Sequence, residues 1–146
     1  MLSNLYDKTF TIINQIPESP KSKRKVGWKM FKLTGCDVVG AKYDRSQGTI
    51  GLESGAHNVY IKNWQDYCPS ADFYETLPAG KYTLARGDLI IFEDIDIAAP
   101  TSVEEYDSLI EKYVDTSLTV SDFEVFVNYK RNGMPWRTNH IEVMKN

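Results

Sequence analysis

The chain has 146 residues, 42% hydrophobic and 25% charged, the size and balance of a single globular domain with a proper core. No apolar run approaches the ~20 residues of a membrane span, and the opening MLSNLYDKTF lacks the basic start and apolar centre of a signal peptide. Two cysteines in a chain expected to be made in the cytosol read as free thiols, which excludes a disulfide framework.

Lys8–Gln15, rich in Thr, Ile and Phe, predicts a first strand. Residues 17–25 follow, with two prolines and the basic Lys21, Lys23, Arg24 and Lys25, and read as a mobile loop or arm. Trp28–Thr34 predicts a second strand ended by Gly35, and Val38–Tyr43 a short third with Gly40 as a bulge. Turns at 44–48 and 54–58 separate a short extension, Thr49–Glu53, from a strand at Asn58–Ile61. Gly48, Gly51 and Gly55 lack the Lys-Ser/Thr ending of a phosphate loop. Asp72–Thr76 has room for one helical turn.

Gly80–Ile97 is the stretch around which the rest is expected to organise. Tyr82 and Leu84 alternate with Thr83 and Ala85; Arg86-Gly87-Asp88 is a turn; Leu89–Phe92 is an apolar run too short for a helix. The expectation is a central β-hairpin, continued by alternating residues 94–97. Ser102–Val114 is the convincing helix, opened by the capping box of Ser102 and Glu105, with Val103, Tyr106, Ile110 and Tyr113 on one face. Leu118–Val120, Phe123–Tyr129 and His140–Met144 complete the strands, with Asn132-Gly133 as a hairpin turn. The predicted fold is mainly β: one domain, a small β-barrel or sandwich with one amphipathic helix at 102–114. Trp28, Phe31, Tyr60, Leu84, Ile90, Phe92, Val125 and Ile141 are its expected core.

The net charge of −3 is unevenly spread. Residues 1–50 carry nine Lys/Arg against four Asp/Glu, whereas residues 93–124 carry ten acids against Lys112 alone. A basic end and an acidic middle suit either a solvated surface or complementary interfaces. Chemistry is harder to find. Cys36, Cys68, His57 and His140 have no paired metal-ligand spacing, so no metal is expected. Asp94 and Asp96 read as the exposed side of a strand, and neither histidine is accompanied by a nucleophile motif. The expectation is a protein with no catalytic residues and no cofactor.

The order of the pieces resembles a family of small proteins encoded among tailed-phage structural genes. The resemblance runs from an FTIIN strand through Trp28 and its extended segment to Cys36, then Val59-Tyr60-Ile61. Next comes Tyr82, Leu84, Gly87, Asp88 and Ile90 as a Tyr-x-Leu-x-x-Gly-Asp-x-Ile segment, followed by the capped SVEEYDSLIEKYVD and Thr119–Asp122. It ends with Gly133, Pro135, Trp136, His140, Ile141 and Val143. The resemblance implies a bacteriophage virion protein, made in the host cytoplasm, of the head-completion or stopper type in the head-to-tail connector. It would be a small β-barrel assembling as a ring between portal or adaptor and tail, helping to retain packaged double-stranded DNA, with no membrane partner. The basic segment Lys21–Lys25 and an extended loop at Val127–Arg137 depart from that pattern. A second reading starts from the same Gly87-Asp88: β-barrels of the PUA-like and ASCH kind, which bind RNA or modified nucleosides, although the Gly-x-Lys-x motif expected of them is missing. A third is a tail-terminator-type ring protein.

Overall fold

The computed structural model describes residues 8–21, 23–39, 41–44, 49–52, 58–126, 130–131, 134–135 and 140–144. Its main feature is a seven-stranded antiparallel sheet. Strand β1 is Lys8–Ile16, β2 Gly27–Val39, β5 Asn58–Ile61, β6 Leu89–Ile91, β7 Ser117–Thr119, β8 Asp122–Phe126 and β11 His140–Met144. They are ordered β7-β6-β1-β2-β5-β11-β8. Two small ribbons stand apart: β3 (Ala41–Asp44) with β4 (Thr49–Leu52), and β9 (Lys130–Arg131) with β10 (Met134–Pro135). The second flanks Asn132-Gly133, which lies outside the described residues, as do Gly40, His57 and the loop residues 45–48 and 53–57.

The edge strands β7 and β8 are separated in the chain only by Val120 and Ser121. Crossing from one edge of the sheet to the other in two residues requires the sheet to curl until its ends meet. Val120 N–H donates to Asp88 O at 2.8 Å on one side of that junction, and Ser121 N–H to Met144 O at 3.1 Å on the other. Among the described residues no ladder joins β7 to β8. The two strands, at opposite ends of the sheet order, meet end to end there rather than side by side. The fold is therefore a curled open sheet with two short helices, mainly β as expected, and not a closed barrel.

Residues inside the curl form the larger core: Phe10, Ile12, Leu33, Cys36, Val59, Ile61, Tyr82, Leu84, Ile90, Leu118, Ile141 and Val143 are among its buried members. The second core lies on the outer face, where helix α2 (Val103–Lys112) and its C-cap Tyr113 pack Tyr106, Leu109, Ile110 and the Tyr113 ring against Ile13, Leu89, Ile91 and Ile95. Adjacent residues on β6 thus face different cores. That is why Leu89-Ile90-Ile91 is apolar without alternation. Ser102 caps α2 by accepting from Glu105 N–H, while the Glu105 carboxylate accepts from Thr101 N–H at 2.8 Å.

Several expectations change. Gly35 does not end β2: it sits at φ 68, where the pairing slips from Phe10↔Leu33 to Lys8↔Cys36 and leaves an extra residue on β2. That bulge bends the strand from β1 towards β5, and residues 38–39 belong to β2 rather than to a third strand. The hairpin of 82–85 with 89–92 does not form. Tyr82 instead makes an isolated parallel bridge with Tyr67. Its neighbours' backbone groups are taken by side chains: Asn14 exchanges two bonds with Thr83, and Asp88 accepts from Ala85 N–H. Strand β6 stops at Ile91, and 94–97 is irregular. A second helix, α1 (Ser70–Thr76), replaces the single turn and buries Phe73. Val103 on α2 and Val125 on β8 are exposed, at 52% and 39%, and Trp28, Phe31 and Tyr60 are half-buried. Val125 shares a strand face with Phe123, two residues away, and remains exposed on β8, the edge strand of the sheet.

Candidate functional site

Two polar constructions lie next to each other at the end of β1. The first is built around Asp88. Gly87, at φ 97, makes the turn in which Asp88 N–H donates to Ala85 O, and a Cβ there would stand 3.4 Å from Gln15 Oε1. The positive φ is what favours glycine there; the contact with the end of the Gln15 side chain would be an ordinary one. The turn aims the Asp88 carboxylate inward, where it is 1% exposed. It accepts from Gln15 N–H at 2.9 Å, Asn14 Nδ2 at 2.8 Å and Ala85 N–H at 3.0 Å. Asn14 also donates to Thr83 O at 2.6 Å, and Ser70 Oγ extends the network to Thr83 Oγ1 and Leu84 O. Burial pushes the Asp88 carboxyl up to about 6, and the three N–H donors oppose that shift. Tyr106 hydroxyl closes the other side, donating to Gly87 O at 2.6 Å.

Among the described residues the hydrogen bonds of this carboxylate are to backbone N–H groups and to Asn14, so its chemistry is architectural. It ties the 85–88 turn to β1. Tyr82 works the same way: buried, it donates its hydroxyl to Asn63 O at 2.7 Å, and burial raises its phenol above the ordinary range. The Tyr-x-Leu-x-x-Gly-Asp-x-Ile segment is thereby explained residue by residue as a packing and turn element. Trp28 packs on Tyr106 with ring centroids 5.9 Å apart. His140 stacks on Phe126 at 5.0 Å and faces Glu142 at 3.0 Å. Pro135 lies in the β10 ribbon, and Gly133 and Trp136 lie outside the described residues.

The second construction is the basic segment, and it is not a loose arm. Ser19 and Arg24 exchange two backbone bonds, Ser19 N–H to Arg24 O at 2.8 Å and Arg24 N–H to Ser19 O at 2.9 Å. Lys23 completes the tight loop in the left-handed region at φ 55, with its N–H on Pro20 O at 3.3 Å. Arg24 turns back: Nη1 donates to Tyr74 O, in the last turn of α1, at 2.7 Å. A cation at a helix C-terminus is favourably placed against the macrodipole. Lys21, Lys23 and Lys25 stay exposed.

The acidic segment begins at the opposite end of the same strands. β6 runs antiparallel to β1, with Ile13 beside Leu89 and Thr11 beside Ile91. The basic hairpin therefore leaves from the Asp88 end. Glu93 leaves from the other, where its carbonyl accepts from Thr11 Oγ1 at 2.9 Å. Exposed Glu93, Asp94 and Asp96 sit there, and Asp115 is close by, since Phe92 N–H bonds Thr116 O.

No family model matches this chain, and no curated protein or solved structure is significantly similar to it.

What the site can do follows from its own groups. Among the described residues no three metal-binding side chains converge, and no helix is long and apolar enough to cross a membrane. Cys36 is buried, and burial pushes its thiol up to about 12, which leaves it unreactive. Sequence reasoning missed Asn14, Thr83 and Ser70. The available signal was an amide in the middle of an apolar strand, FTIINQI, where a side chain that points inward needs a partner.

Proposed function

We propose that the chain is a structural component of a tailed-phage virion, of the head-completion or stopper type, that assembles as a ring between portal or adaptor and tail. The observation that carries the reading is the charge axis: Lys21, Lys23 and Lys25 at one end of β1 and β6, and Glu93, Asp94 and Asp96 at the other. A chain set in a ring between other assemblies presents different surfaces to different partners, and a basic end and an acidic end supply two such surfaces. The motif residues support it in a second way, since Tyr82, Gly87 and Asp88 are spent on the fold and leave no free group for catalysis. A tail-terminator role shares this physics and differs in the partner. The PUA- or ASCH-like reading rests on the same Gly87-Asp88, whose carboxylate is engaged internally.

The test is docking. The purified chain is mixed with the portal–adaptor assembly of the same virion and sedimented at increasing salt. Co-sedimentation that weakens with salt is the expected result, because exposed charges are screened beyond ~8 Å at physiological ionic strength. Absence of the protein from purified virions by mass spectrometry would overturn the reading.

A further inference from the structure

The basic hairpin of residues 17–21 and 23–25 leaves its three lysines exposed. Among the described residues three other lysines have carboxylate partners, Lys8 with Asp37 at 3.4 Å, Lys32 with Asp94 at 2.6 Å and Lys81 with Asp66 at 3.8 Å, whereas the exposed and sequentially scattered Lys62 and Lys112 do not. Among the described residues Lys21, Lys23 and Lys25 have none, although the chain as a whole is acidic. They are also held in place. The Ser19–Arg24 pair closes the loop, Arg24 fixes it to α1, and Lys23 occupies a left-handed backbone position that costs a non-glycine residue about 1 kcal/mol. Glycine or asparagine would make that turn with less strain, yet a lysine stands there.

We propose that this hairpin is a preformed contact for the phosphate backbone of double-stranded DNA, with Lys21, Lys23 and Lys25 as the phosphate ligands and no reading of base sequence. Its composition decides between DNA and a protein partner. Residues 17–25, PESPKSKRK, contain no aromatic or large aliphatic side chain, whereas protein interfaces are anchored by buried aromatics and depleted in lysine. Lysine is a point charge suited to a phosphate. Arginine, the side chain that reads guanine through a bidentate pair, is turned inward at Arg24. A finger of lysines without its arginine binds backbone only. The proposal rests on the connector reading for the source of the DNA, and on the hairpin alone for the chemistry.

The experiment titrates the full chain into fluorescently labelled short duplexes of two unrelated sequences and follows anisotropy. Equal affinity for the two sequences is expected. Three neutralised phosphates give a slope of log K against log salt of about −2.7, so affinity falls roughly 40-fold between about 50 and 200 mM salt. The triple reversal K21E/K23E/K25E is expected to lower affinity by at least about tenfold. K62E/K81E/K112E, which changes net charge equally at lysines elsewhere on the chain, is expected to stay within about threefold of the unmodified chain. Arg24→Lys keeps the charge and removes the anchor to Tyr74, and is expected to weaken binding severalfold because the hairpin must then be ordered on contact. Circular dichroism confirms that each variant is folded.

Equal losses in the two triple variants, a marked preference for one sequence, or no binding by the unmodified chain at low salt would overturn the proposal. So would an Arg24→Lys variant that binds as well as the unmodified chain, because the contact would then not be preformed. Docking onto the portal–adaptor assembly is measured on the same variants. If K21E/K23E/K25E abolishes docking and leaves DNA binding unchanged, the hairpin is a protein contact and the proposal falls. If DNA binding is lost and docking survives, the proposal and the connector reading both stand. A chain that binds DNA but never docks leaves this inference standing and removes the reading beneath it.

Discussion

Asp88 and Lys23 lie at the same end of β1, and the protein treats their charges in opposite ways. Asp88 is drawn inside and given three N–H donors. Lys23 is held outside on a strained turn with no carboxylate partner among the described residues. Both cost free energy: one through desolvation, the other through backbone strain. The inward cost is offset by bonds that tie the 85–88 turn to β1. The outward cost is offset by the bonds that close the 19–24 turn, but the Lys23 charge itself meets no carboxylate among the described residues, which is the reason to look for its partner in another molecule. The comparison separates polar groups that specify the fold from polar groups left available to another molecule.

The largest expected effect tests the inward half. Ile90 is fully buried between Asp88 and the sheet junction, and Ile90→Ala removes side-chain volume from the larger core. A loss of about 2–5 kcal/mol in denaturant unfolding is expected, the range for such truncations. A loss under about 1 kcal/mol would mean that the curl is not packed around β6. The fully outward counterpart, K21E/K23E/K25E, is expected to unfold within about 0.5 kcal/mol of the unmodified chain, as surface substitutions do.

The second prediction uses pH to isolate the buried carboxylate. Its folded-state value is raised from 3.8 to about 6. The folded protein therefore binds the proton more tightly than the unfolded chain. That contribution to stability is fully present below the unfolded value near 4 and is lost as pH rises through about 6. Lowering pH from 7 to about 4.5 should stabilise the unmodified chain by about 2 kcal/mol relative to Asp88→Asn, which has no such group to titrate. Unfolding curves of the two proteins at both pH values give the difference directly. An opposite sign would show that the three N–H donors outweigh burial, holding Asp88 below its ordinary range.

How much of this was legible in the sequence depends on where each signal lives. Asn58–Ile61 and His140–Met144 were readable to the residue because their alternation is local and each buries one face. The α2 cap was readable for the same reason, since Ser102 and Glu105 are close in sequence. The central hairpin was misread because Arg86-Gly87-Asp88 does make a tight turn, while its backbone partners are taken by Asn14, 69 residues from Thr83. No window around residues 80–92 contains that information. Helix α1 was underestimated because Pro69 gives it no side-chain cap and only Phe73 buries a face. The basic segment was visible as composition, but its anchor on Tyr74 depends on α1, 50 residues away, and was not. The Asn132-Gly133 turn lies outside the described residues.

A smaller effect is expected at the turn that aims Asp88. Gly87→Ala places a side chain at φ 97 and within 3.4 Å of Gln15 Oε1, and should cost about 1–2 kcal/mol. The altered turn should also lessen the pH dependence, because the carboxylate would no longer sit squarely on the Gln15 and Ala85 amides. A pH profile identical to that of the unmodified chain, together with lost stability, would separate turn strain from carboxylate placement.

The smallest effect is expected where the acidic segment meets the sheet. Lys32 Nζ pairs with Asp94 at 2.6 Å, but their side chains are 42% and 61% exposed. Exposed pairs of this kind contribute about 0–1 kcal/mol and are screened by salt. Lys32 does not depend on Asp94 for a partner, because it also donates to Ile95 O and to Thr11 Oγ1. Asp96 is exposed as well. Asp94→Ala with Asp96→Ala should therefore change unfolding free energy by no more than about 0.5 kcal/mol at physiological salt. The same double variant should weaken docking of the chain to its neighbours, because it removes charge from the acidic end without touching the core. Calorimetry on the isolated chain and sedimentation with the portal–adaptor assembly read the two halves separately. A stability loss above about 2 kcal/mol would place Asp94 among the groups that specify the fold. Unchanged docking would leave the acidic end a solvated surface and remove one pole of the charge axis.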